Sequence, residues 1–367
     1  MNKKLKRLSE NARIVYVTLM EAIDGDMRAR KAIRDVATGM GSITESITTS
    51  DFPGLFQQAI NAQVEAEYPE VPSLWREWAK QYNMSGLRKE NFIELLADFS
   101  NLPDENGGVA TLTGGLPRIP EGTPFPAIAF TGSEKDVWTY KFGGRVGFTW
   151  EGFSQDQWNV LGQLPGALVR QAKRTEDLSA TSILFDKTNG WKTAVFGSVD
   201  NKALTFQNLL EALADVRSTS DPQKVNTQTK WALMVPRALV DTAEAIVAAV
   251  QVEQTVGGDK LIVPNRVGNR AVVVENPYLD VMPGTGYTKT DTSWALLPYA
   301  GDGGGTRTTI VQTIISGRTE PELRIKNDQG QALGGGALSP YEGSFDTDDI
   351  QIRARHFTNS VAVNTDL

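Results

Sequence analysis

The sequence contains no cysteine. Without thiols there is no disulfide, no thiolate nucleophile, no zinc ribbon and no iron–sulfur cluster. There is a single histidine, His356, so a two-histidine metal site is excluded. Positive charge is also scarce: the formal net charge is −7, which argues against a generic polyanion binder. No apolar run approaches the roughly 18 residues that a membrane span needs. The best one, Ala243 to Val252, is flanked by charge. The N-terminus, MNKKLKRLSENARIVYV, is basic, but polar residues interrupt its apolar run and no small-residue cleavage site follows. These absences predict a soluble protein made in a cytoplasm, with no membrane partner.

Its 367 residues suggest two or three folding units. With 40% apolar and 22% charged residues, the mix is that of a globular chain rather than a disordered one. Met1 to Asp35 carries nine Lys/Arg against five Asp/Glu, so a basic segment precedes an acidic body. Leu8, Ala12, Val15, Leu19 and Ile23 recur at helical spacing, and a second helix is expected from Arg28 to Thr38. The polar tract SITESITTSD suits a linker.

Asp51 and Pro53 open a further helix carrying Phe56, Ile60 and Val64. Trp75, Trp78 and Tyr82 are expected on one face of another turn or two, as core. From Leu112 to Trp150 the pattern turns to proline, glycine and alternation. Two runs, Ala127 to Phe130 and Val137 to Phe142, flank TGSEKD and predict a long β-hairpin with little core of its own. Pro165 is placed to start a long helix reaching Phe185, with Leu168, Ala172, Thr175, Leu178 or Ser179, and Ser182 on one face. Residues 203 to 330 read as mixed α/β. There, LTFQNLLEALADVRS (capped by Thr205) and RALVDTAEAIVAAVQ are helices, and WALMVP, AVVVENPYL, SWALLPY and TTIVQTIIS are strands. QIRARHFTNSVAVNTDL alternates and would close a sheet.

Catalytic motifs are thin. There is no GxSxG elbow, phosphate loop or HExxH helix. Gly301 to Gly305 reads as a hairpin turn, and Asp346, Asp348 and Asp349 read as a solvated turn rather than a calcium loop. His356 has no Ser or Cys elbow to act on and reads as a packed or hydrogen-bonded residue. No catalytic residue, cofactor or metal is expected, and the chain is not expected to be an enzyme. Carboxylate-pair chemistry on a carbohydrate needs only Asp and Glu, so it stays as a minor alternative.

The order of pieces resembles the major capsid proteins of tailed phages, of Hong Kong 97 type, and most of all the Mu-type major head subunits. Ser50, Asp51, Phe52, Pro53, Tyr68, Pro72 and Trp75 match that family's opening pattern. GGRVGFTWEGFSQDQWNVLGQLPGALVRQAKR is similar to its hairpin return strand, turn and spine helix, and DDIQIRARHFTNSVAV to its closing strand. The family has no counterpart to residues 1 to 48, and it often shows an Asn-Asp pair where this chain has Gln155-Asp156-Gln157.

The resemblance implies an α+β fold of the Hong Kong 97-like capsid type. Its parts would be a basic N-terminal arm (1–50), an N-terminal helical part of the P-domain (51–117), an E-loop hairpin (118–150), a P-domain with spine helix (151–202), an α/β A-domain (203–330) and a C-terminal return strand (331–367). It further implies self-assembly into pentamers and hexamers, a virion shell around double-stranded DNA, and portal, scaffold or decoration proteins as partners. The expected assembly interface comprises Phe130, Glu134, Lys135, Trp138, Tyr140, Arg145, Arg170 and Arg174. Lys3, Lys4, Lys6 and Arg7 would touch the lumen or a neighbouring subunit. An encapsulin-like compartment, with the same fold around a cargo enzyme, is the alternative.

Overall fold

A computed structural model describes residues 10–23, 26–37, 52–98, 121, 129–151, 158–186, 190–196, 202–215, 230–256, 259–280, 293–301, 309–331, 333, 338 and 340–363. In chain order its elements begin with helices α1 (Glu10–Ile23), α2 (Met27–Ala37) and α3 (Phe52–Glu67). Strands β1 (Lys80–Met84), β2 (Glu90–Asp98), β3 (Ala129–Val137) and β4 (Tyr140–Thr149) precede the long helix α4 (Trp158–Ser182). Two short strands, β5 (Phe185–Asp186) and β6 (Gly190–Trp191), lead to α5 (Phe206–Asp215), β7 (Trp231–Val235) and α6 (Val240–Ala248). The chain continues through β8 (Gln251–Val256), β9 (Asp259–Pro264), β10 (Ala271–Glu275), β11 (Ala295–Pro298), β12 (Ile310–Ile315), β13 (Glu322–Ile325) and β14 (Asp349–Ala362). The content is α+β. Among the described residues no helix is long and apolar enough to cross a membrane.

The chain divides into two compact units. The first comprises Met1–Ser73, Tyr140–Glu176 and Ile314–Thr358. Here β14 pairs antiparallel with β4 on one side and β13 on the other. The period-2 alternation of β14 sends Ile350 and Ile352 into a core with Val15, Leu19, Ile33, Val64 and Val169. Asp349, Gln351, Arg353 and Arg355 occupy the opposite face, as the register of the pairing requires. The helical stripe of the N-terminal segment is therefore used at home. Ala12, Val15 and Leu19 are buried, the last two in this core, so the stripe is not left over for a neighbour.

The second unit comprises Leu74–Thr139, Asp177–Thr313 and Asn359–Leu367. A three-stranded sheet, β10-β7-β11, lies at its centre, with β10 parallel and β11 antiparallel to β7. All five residues of β7 are buried, which is why WALMV reads as an unbroken apolar run. Leu209 and Leu213 of α5 and Ala243 of α6 close over Trp231, Leu233 and Val235. Thr205 caps α5, its Oγ1 accepting from the Asn208 amide at 3.2 Å. A second small core joins Val137, Val311, Val361 and Val363.

Four local expectations need correction. TGSEKD is not a turn but the middle of β3. The two expected hairpin arms do not pair with each other, because β3 pairs with β2 over nine residues and β4 pairs with β14 over ten. Glycine and charged residues at 131–136 imitate a turn, yet each has a ladder partner from Leu96 back to Asn91. Trp75 lies in a 3₁₀ turn and Tyr82 in strand β1, so Tyr82 does not continue a helical face, although Trp75 and Trp78 are buried as expected. The long helix starts at Trp158, with Pro165 inside it. The second α/β helix stops at Ala248, and Gln251 already opens a β8–β9 ribbon that the pattern did not suggest.

Candidate functional site

The face that α4 buries in the first unit shares Ala172 with the one expected but is turned away from Leu168 and Thr175. Val169, Ala172, Lys173 and Glu176 are buried, while Leu168 and Thr175 are half-buried. Lys173 and Glu176 look like solvent positions in sequence, and burying them demands partners. Those partners come from far along the chain. The Tyr68 hydroxyl donates to Glu176 Oε1, and His356 Nε2 lies 2.9 Å from the same oxygen. Lys173 Nζ sits 3.8 Å from Glu176 Oε2 and 3.5 Å from the centre of the Tyr68 ring.

Burial pushes the Glu176 carboxyl up, but the His356 hydrogen bond, the Lys173 charge and the Tyr68 hydroxyl outweigh it and hold it below its ordinary value. Among the described residues His356 Nδ1 has no hydrogen-bond partner. The single histidine is thus a buried, hydrogen-bonded residue that ties β14 to α4. Tyr68, already notable as part of a family pattern, is the residue that joins α3 to this cluster. The spacing Tyr68…Glu176…His356 carries no local sequence signal.

The cluster is closed to solvent. The second unit has an open groove of about 490 Å³ lined by Phe206, Asp241, Ala245, Ile246, Ala249 and Val252. Asp241 is the one charged group of that lining; it stands next to the Thr242 hydroxyl, with no second acid and no base among the lining residues. No group of three or more potential metal ligands occurs among the described residues. Asp349, from the expected acidic turn, takes hydrogen bonds from Ser344, Thr347 and Gln351, which hold its carboxyl well below the usual carboxylate range.

The eight expected interface residues fall into distinct settings. Glu134 and Lys135 are exposed on β3, opposite Ile93 and Phe92. The backbone of Phe130 pairs with Ala97, and its side chain lies outside the described residues. Trp138 is half-buried against the small core of Val137 and Val311, and its carbonyl is within hydrogen-bond reach of Thr313 Oγ1 at 2.9 Å and Asn359 Nδ2 at 3.1 Å. It therefore anchors the root of β3. Tyr140 and Arg145 are exposed on β4, and Arg170 and Arg174 are exposed on α4. Lys3, Lys4, Lys6 and Arg7 lie outside the described residues, as do 302–308 of the expected glycine-rich turn and 42–51 of the expected linker.

The family model for phage capsid proteins matches residues 136–365, most of the sequence, and the chain belongs to that family. It is a structural protein of the virion capsid, and it associates with copies of itself. Comparison with curated protein sequences returns no match. Among solved structures it is similar to the capsid of Myoviridae phage XM1 (11% identity, TM-score 0.40, covering 78% of this chain and 87% of that one). It is also similar to the capsid of cyanophage P-SCSP1u (11%, TM-score 0.40, 80% and 86%). A third is the SrpI encapsulin of Synechococcus elongatus (9%, TM-score 0.39, 78% and 82%). Likenesses this distant add nothing to the family assignment.

Proposed function

We propose that this capsid protein is the main building block of its shell, closing into pentamers and hexamers around packaged double-stranded DNA without catalysing any reaction. Closed rings follow from head-to-tail contacts between identical chains. The observation that carries the reading is the β2–β3 ribbon. Its nine-residue strands pair with each other and, among the described residues, with no other strand. A two-stranded ribbon is marginal alone in water, so it gains by lying on another surface.

This ribbon, rather than the 118–150 segment, takes the part of the E-loop. The helix α4 takes the part of the spine, residues 203–330 that of the A-domain, and β14 that of the return strand. Glu134, Lys135 and Phe130 belong to the arm's contacts, and Tyr140, Arg145, Arg170 and Arg174 to those of the body. Lys3, Lys4, Lys6 and Arg7 serve the lumen or a neighbour. Assembly in the host cytoplasm, with portal and scaffold or decoration proteins, completes the reading.

The test is to replace Asn91–Asp136 with a short Gly/Ser turn and compare the variant with the parent by negative-stain microscopy and sedimentation. Shells from the parent and folded, dissociated subunits from the variant are expected. Intact shells from the variant would refute the role given to the ribbon.

A further inference from the structure

The outer face of the β13–β14–β4 sheet carries a row of like charges. Arg324 stands directly opposite Arg353, and Arg353 directly opposite Arg145. Directly opposed residues of antiparallel strands point to the same side, and neighbouring strands are about 4.8 Å apart. Three guanidinium-bearing side chains therefore leave one face within about 10 Å of sheet. All three are exposed, and Lys141 and Arg355 stand on the same face, opposite Phe357 and Glu322.

Compensation within the first unit is partial. Glu322 serves Arg318 at 3.1 Å, Arg324 at 3.7 Å and Arg355 at 2.5 Å. Among the described residues Arg145 has only the Gln351 amide oxygen, at 3.4 Å. Arg145, Arg353 and Lys141 have no carboxylate partner among the described residues. Like charges directly opposite destabilise a sheet, so the row works against the subunit's own stability. On a chain of net charge −7 it is also against the trend of the whole molecule.

The complement lies elsewhere in the same sequence. Glu90 to Val137, the ribbon and its connection, holds eight Asp/Glu and two Lys/Arg, a net charge of −6 that nearly equals that of the whole chain. We propose that the arginine row Arg324–Arg353–Arg145 is the docking surface for the acidic Glu90–Val137 segment of a second copy of this chain. The inference rests on the self-assembly reading above and names its contact. Gly147 stands beside Arg145 on the same face with open space where a Cβ would be, so a ribbon can approach closely there. Packaged nucleic acid is the rival anion, but a duplex on this face would also meet an otherwise acidic body, whereas a ribbon from a second copy brings the opposite charge at ribbon width.

The test uses the full-length chain. Arg145→Gln with Arg353→Gln should move the onset of assembly to roughly fourfold higher protein concentration, two exposed charge pairs each contributing about a factor of two. Because the row is self-repelling, the dissociated variant subunit should melt no lower than the parent, which a merely structural role would not allow. Arg145→Glu with Arg353→Glu, and separately Glu134→Lys with Asp136→Lys, two exposed carboxylates on one face of the ribbon, should each fail to assemble, yet co-sediment with each other when mixed.

Unchanged assembly of the Gln variant would overturn the proposal while leaving the shell reading in place. No complex on mixing would overturn it in favour of a contact within one chain. Loss of binding to a short duplex DNA, with assembly unchanged, would overturn it in favour of nucleic-acid phosphates. A parent chain that forms no assembly at any concentration would overturn both readings.

Discussion

Replacing Glu176 with alanine is the sharpest test of what holds the first unit together. Its side chain is fully buried and accepts from Tyr68 and His356, with Lys173 beside it. Removing the carboxylate takes the Glu176 counter-charge away from the Lys173 ammonium, which is itself only 4% exposed and lies 3.5 Å from the centre of the Tyr68 ring. Breaking a buried charge pair from one side costs about 3–5 kcal/mol. For a unit of this size that is a fall in Tm of roughly 10 °C. Differential scanning calorimetry of the dissociated subunit reads it directly.

The control is Lys173→Met with Glu176→Leu, which removes both charges and keeps volume, and should recover most of the loss. The pH dependence has a definite sign. A carboxyl held below its ordinary value of 4.5 contributes stability that is present above that pH and lost as the pH falls through its folded value. The alanine variant should therefore lose less on acidification below 4.5 than the parent does. A Glu176→Ala variant that melts within about 2 °C of the parent would refute the argument, because taking one partner out of a buried charge pair cannot be that cheap.

Two further outcomes are expected. Gly143→Ala would drive its Cβ into the Ala354 carbonyl oxygen of the adjoining strand, so β4 must shift and the subunit should melt several degrees lower; an unchanged melting point would show that the edge is slack. The Asp349 carboxyl should titrate below its ordinary value of 3.8 in a carbon-detected NMR titration, and Thr347→Ala should move it back toward that value; no movement would mean that the turn's hydrogen bonds do not hold the charge.

Elements whose side chains follow one period were legible in the sequence. Val15 and Leu19, or Ile60 and Val64, repeat at helical spacing and pack as that spacing implies. WALMV, buried throughout, could only be an inner strand. The failures share a cause. TGSEKD has the residues of a turn, and only its pairing with Asn91–Leu96, some forty residues away, makes it a strand. Lys173 and Glu176 read as solvated because a charged residue usually is; their burial depends on Tyr68 and His356, which lie 108 and 180 residues from Glu176. Local propensity holds no record of such partners. The arginine row was hidden for the same reason. Arg145, Arg324 and Arg353 are unremarkable where they stand, and become a feature only when the register of two antiparallel ladders aligns them.

The two charged features pull in opposite senses, and the contrast bears on how a shell subunit differs from a self-sufficient domain. The Glu176 cluster is closed. Each buried charge has its counterpart inside the unit, and the hydrogen bonds are directional where an apolar contact between α4 and β14 would tolerate a slip. A helix seated on Ile350 and Ile352 through Val169 alone could slide by a turn and still bury similar area, but the bonds from Tyr68 and His356 to one carboxylate oxygen admit a single seating. The arginine row is open: its charges are gathered on one face with one shared carboxylate, at some expense to the isolated subunit. A chain whose final state is an assembly can leave such charges unmatched, because the matching segment arrives with the next copy. Rigidity is thus settled inside the subunit and complementarity is deferred to the contact. That division lets identical chains keep one body shape while meeting their neighbours through a separate, charge-guided surface.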